Sequence, residues 1–124
     1  MRRLAVAFAL VASALPVLTA CGGGGSAPPA GTIKIEMVDF AFKPAKLTVK
    51  SGAVSFYLVN DGSNAHDMTI AAPTGGGTLA ASELVQPGAT AVFKVSGLRP
   101  GTYTFYCSVP GHRDAGMQGT LTAN

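Results

Sequence analysis

The sequence predicts an all-β domain, an antiparallel sandwich of seven or eight short strands. Three observations carry this. Apolar and polar residues alternate at period two in one segment after another. Turn-forming clusters separate those segments. No window keeps a helical period over three turns. Sixteen glycines and eight prolines in 124 residues fit frequent turns and short elements.

The elements can be read in order. Ile33, Ile35 and Met37 alternate with Lys34, Glu36 and Val38, as in a half-buried strand. Lys46 to Lys50 puts Leu47 and Val49 on one side. Val54 to Val59 is rich in β-formers and reads as a deeper strand. Met68 to Ala71 is a short candidate. Residues 78–85 read either as one helical turn or as another edge strand. Thr90 to Val95 places Ala91, Phe93 and Val95 on one face. Thr102 to Cys107 does the same with Tyr103, Phe105 and Cys107, and Thr120 to Ala123 closes the chain. Turn signals stand at Lys50-Ser-Gly52, Asn60-Asp-Gly-Ser63, Gln86-Pro-Gly88 and Arg99-Pro-Gly101. Phe40, Phe42, Phe56, Phe93 and Phe105 are expected in the core, each worth about 1.5–3 kcal/mol when fully buried.

The first residues read as an export signal, residues 1–20. Arg2 and Arg3 precede an apolar run from Leu4 to Ala20. That run is short for a membrane span and ordinary for a signal peptide. It closes with Leu18-Thr-Ala-Cys21, small residues ahead of a cysteine, which resembles the bacterial lipobox. Cleavage before Cys21 and lipidation of its sulfur are expected, leaving the protein held to the cell membrane and facing the periplasm or the outer surface. Residues 22–31, Gly-rich and then Pro-rich, form a tether of about 17 Å root-mean-square reach. Residues 32–124 are the single folded domain. Over residues 21–124, seven Lys/Arg face six Asp/Glu, so the net charge is about +1. No basic patch argues for nucleic acid. A tethered monomer is the default state.

A lipidated Cys21 leaves Cys107 as one free thiol in an exported protein, where a leftover cysteine is either buried and inert or kept occupied. Cys107, His112 and Met117 stand five residues apart in the stretch Tyr106-Cys-Ser-Val-Pro-Gly-His-Arg-Asp-Ala-Gly-Met117. On a helix that spacing would not align them. In a loop turned by Pro110-Gly111 and anchored at both ends by strands, they can converge. Thiolate and thioether select soft metals such as Cu(I), and a His₂Cys site with a long axial Met is the blue-copper arrangement. The second histidine of the chain, His66 in Asn64-Ala-His-Asp67, completes the set.

These residues resemble the ligand set of the cupredoxins, the plastocyanin and azurin family of small blue-copper proteins. Cys-Ser-Val-Pro-Gly-His112 is similar to the azurin-type gap, and Ala-Gly-Met-Gln-Gly-Thr-Leu-Thr122 to the plastocyanin-like ending. The likeness covers about residues 32–124, including Phe42-Lys-Pro44 and Lys50-Ser-Gly52. It implies a Greek-key β-sandwich, one mononuclear type 1 copper ion on His66, Cys107, His112 and Met117, and one-electron transfer. It also implies an exit port at His112, with Val109, Pro110 and Ala65 around it, where redox protein partners dock. One position departs. Cupredoxins often carry Asn after the first ligand histidine, where it braces the loop, and this chain has Asp67. Bracing is then left to Asn64, Ser108 or backbone amides.

Enzyme readings fare badly. Multicopper oxidases and copper nitrite reductases add copper centres built largely from histidine, and here both histidines are used. A Cys107–His112 nucleophile pair lacks an orienting group and leaves Met117 unexplained. The stronger rival is a cell-surface copper carrier or scavenger using the same ligands. Zinc also accepts His₂Cys donors, and a metal-free adhesion sandwich is the third alternative.

Overall fold

The computed structural model describes residues 27–124. The expected signal segment, Cys21 and residues 22–26 of the tether lie outside the described residues. Nine strands follow in chain order: β1 (Ile33–Val38), β2 (Ala41–Lys43), β3 (Lys46–Val49), β4 (Gly52–Asn60), β5 (Thr69–Ala71), β6 (Thr78–Ala81), β7 (Thr90–Leu98), β8 (Gly101–Tyr106) and β9 (Gln118–Ala123). They form a four-stranded sheet, β2-β1-β4-β7, and a five-stranded sheet, β3-β9-β8-β5-β6.

The alternation in sequence becomes the inner faces of the two sheets. Ile35, Met37, Phe56, Leu58, Phe93 and Val95 are buried on one sheet. Leu47, Ile70, Phe105 and Leu121 answer them from the other. Strand β4 lies between β1 and β7 and buries Phe56, Tyr57 and Leu58 in succession, which explains why its sequence lacks clean alternation. Aromatic rings meet edge to face inside: Phe42 and Phe105 have centroids 5.0 Å apart.

The all-β sandwich stands, with two corrections of detail. The strands number nine, not seven or eight, and the sheets are mixed. β1 pairs parallel with β4, and β3 pairs parallel with β9. Period two tells which face a residue takes, not which strand lies beside it or in which direction. The extra strands are short. β2 has three residues, too few to show a period, and residues 78–81 resolve as the edge strand rather than a helical turn. Phe40 is also not core. It sits in the Asp39–Phe40 turn between β1 and β2 and is 39% exposed.

This frame sets the position of the long carboxyl-terminal loop. β8 and β9 pair antiparallel up to Tyr106 opposite Gln118, so residues 107–117 leave and return at adjacent points. Close approach there requires glycine. A Cβ on Gly119 would collide with the Phe105 ring and the Ala45 carbonyl oxygen.

Candidate metal centre

His66 is held at a strand-like bridge just before β5. Its N–H donates to the Val85 carbonyl at 3.1 Å, and the Val85 N–H donates back to the His66 carbonyl at 2.8 Å. The turn leading to it is pinned by buried Asn60. The Asn60 amide donates to the carbonyls of Asn64 and Val85, both at 2.8 Å, and its oxygen accepts the Gly62 N–H at 2.9 Å. Every polar atom of that side chain is used, as a buried amide requires.

The 107–117 loop closes on itself. Cys107 N–H donates to the Met117 carbonyl at 3.1 Å, and Met117 N–H donates to the His112 carbonyl at 3.0 Å. His112 N–H reaches the Val109 carbonyl at 3.1 Å across the Pro110-Gly111 turn. Gly111 and Gly116 take φ of 83° and 105°, a region that side chains with a Cβ rarely enter. All three candidate ligands of the loop are therefore fixed through their own backbone. Met117 is fully buried, in the same cluster as Cys107.

The donor atoms of His66, Cys107 and His112 converge, all within 4.8 Å of one another. His66 Nδ1 lies 3.1 Å from His112 Nδ1. Cys107 Sγ lies 3.8 Å from the first and 3.4 Å from the second. Three donors each about 2.0–2.3 Å from one shared transition-metal ion would show separations of this size. The protonation pattern fits as well. His66 Nε2 sits 2.7 Å from Asp39 Oδ1, and a carboxylate there requires the ring proton on Nε2. His66 Nδ1 is then the ring atom that faces the other two donors.

Electrostatics follow from burial. Cys107 is 1% exposed, and that burial pushes its thiol above the usual range, against the pull of the Asp67 and Val109 amides near the sulfur. A cation in the site reverses that preference, because a coordinating thiol is deprotonated. Asp39 is shifted the other way. The Ser63 amide above all, with help from His66 and Asn64, holds its carboxyl down to about 2. Asp67 braces the loop itself. Its carboxylate accepts the Ser108 N–H at 2.6 Å and the Ser108 hydroxyl as well. Of the braces left open by the sequence, Ser108 is the partner, and the carboxylate at position 67 does what an amide oxygen would do.

Sequence reasoning missed Asp39, Phe40 and Asn60. Asp39 lies 27 residues before His66, and nothing in its neighbourhood marks it. The Phe40 ring packs against His112 with centroids 4.8 Å apart. It therefore covers the histidine expected as an exit port, which is 9% exposed.

A sandwich that gathers one thiol and two imidazoles beneath its loops, with a buried thioether in the same loop, defines the class of small mononuclear copper proteins. Comparison with known proteins agrees. The model of the cupredoxin-like domain matches residues 4–123. Plastocyanin of Dryopteris crassirhizoma is 38% identical over 97 residues, covering 70% of this chain and 91% of that protein. The structure of its oxidised form superposes with a TM-score of 0.57 at 30% identity, covering 73% of this chain and 99% of that one. Auracyanin from Roseiflexus castenholzii, at 22% identity, shares the fold with a TM-score of 0.67, covering 77% and 98%. The chain belongs to the cupredoxin family. The cofactor of that family is one type 1 copper ion, and the donor set gathered here fits it.

Proposed function

We propose that this protein is a membrane-tethered electron carrier that passes one electron between redox partners through a single copper site, and is not an enzyme. The observation that carries the reading is the convergence of His66 Nδ1, Cys107 Sγ and His112 Nδ1 in one buried cluster. Membership of a family of electron-transfer proteins supports it.

His66, Cys107, His112 and Met117 would hold the ion. Copper bound there would supply one-electron chemistry between Cu(II) and Cu(I). The chain's own residues do the rest. The self-bonded 107–117 loop and the His66–Val85 bridge keep the donors in one arrangement, so little rearranges as charge changes. Burial of Cys107 and Met117 keeps water from the sulfur atoms. His112 reaches furthest toward the surface of the four, and partners would dock there over Phe40, Val109 and Pro110. Weak, small interfaces are usual for redox encounters. The lipid on Cys21 and the tether would keep the domain beside its membrane, facing the periplasm or the outer surface.

The test uses the full-length protein with added Cu(II). An intense visible thiolate-to-copper band and reversible one-electron reduction are expected. Cys107→Ser should abolish the band. Met117→Leu should keep it and shift the potential, since the thioether of Met117 would tune it. Tight binding of Cu(I) with no coloured oxidised form would make the protein a carrier instead.

A further inference from the structure

The turn between β1 and β2 contributes no ligand, yet it reaches the centre of the site. Asp39 is its working residue. The carboxylate takes three donors: the Ser63 N–H on Oδ2 at 2.8 Å, the Asn64 N–H on Oδ1 at 3.2 Å, and His66 Nε2 on Oδ1 at 2.7 Å. Two of these are backbone amides from the turn that leads to His66, so the carboxylate and the ring are held to the same segment. The side chain is 24% exposed while His66 is fully buried, so the pair spans from the surface inward. Gly62 is what allows the contact. A Cβ there would stand 2.5 Å from Asp39 Oδ1 and 2.8 Å from His66 Nε2.

A histidine that ligates a metal gives its other N–H to a partner, and that partner fixes the tautomer and raises the basicity of the ligand nitrogen. A backbone carbonyl would fix the tautomer equally well. It would not bring a full negative charge. A carboxylate one imidazole away from the donors stabilises the more positive state of whatever sits among them. Asp67 adds a second carboxylate on the cysteine side, through Ser108. We propose that Asp39 is a positioning residue that holds His66 in its Nε2–H form and, by its fixed charge, lowers the reduction potential of the copper site. This rests on His66 being a copper ligand, as proposed above.

The experiment compares full-length, copper-loaded wild type with Asp39→Asn by spectroelectrochemistry. The substitution keeps the shape and removes the charge. The visible band should persist, while the preference for Cu(II) over Cu(I) falls about tenfold, which is a rise of about 59 mV for one electron. Gly62→Ala gives a second variant. Its methyl group parts the pair and leaves the charge in place, so the potential should rise by less than in Asp39→Asn. In the Cu(I) form, nitrogen-15 NMR of histidine should find a proton on His66 Nε2, protected from exchange in the wild type. A potential unmoved in Asp39→Asn overturns the proposal, and so does a His66 Nε2 without a proton. Failure of the underlying reading looks different: the wild type itself would then show no copper band.

Discussion

Gly119 and Phe105 face each other across β8 and β9, and their coupling can be measured. A Cβ on Gly119 would run into the Phe105 ring and the Ala45 carbonyl. Overpacking of this kind costs about 1–3 kcal/mol. Phe105 is fully buried, and Phe105→Leu should cost about 1–3 kcal/mol, within the ordinary range for a core change. The double variant should cost less than the sum, because the leucine withdraws the ring atoms that the new methyl group meets. Contacting residues couple by about 0.5–3 kcal/mol. Part of the Gly119→Ala penalty should survive, since the Ala45 carbonyl is backbone and cannot withdraw. The assay is urea unfolding of the metal-free protein for the four members of the cycle. The reasoning fails if the two penalties add within 0.5 kcal/mol, the limit expected for independent sites.

Two further outcomes are expected. Asp67→Ala removes two hydrogen bonds to a charged acceptor; since Ser108 is exposed and rehydrates, the loss should be about 2–3 kcal/mol in denaturant unfolding. Asp67→Asn keeps an acceptor for the Ser108 N–H and should cost less than about 1.5 kcal/mol, and equal penalties for the two would count against the brace. Cys21→Ser should release the protein from the membrane fraction, because lipid chains on that sulfur are the expected anchor. Retention of the variant at wild-type level would point to the uncleaved apolar segment instead.

The candidate donors were legible in the sequence because the chemistry restricts them. Few side chains offer soft donors, and this chain has only two histidines, two cysteines and four methionines. The spacing Cys107–His112–Met117, with turns between, marked a loop that folds back, and its internal hydrogen bonds show how. Strand faces were legible for a similar reason. Alternation reports burial directly, and Ala91, Phe93 and Val95 are buried as their period requires.

What the sequence determined by itself was local: which residues can bind a soft metal, which face of each strand is apolar, where the chain turns. The tertiary structure decided everything that depends on two distant segments meeting. It set β1 parallel to β4 and β3 parallel to β9. It brought Asp39 across 27 residues to the back of His66, and it moved Phe40 from the expected core to the face of His112. A carboxylate reads the same in sequence whether it meets water or an imidazole, because its partner is fixed by the packing of the sheets and not by its neighbours along the chain.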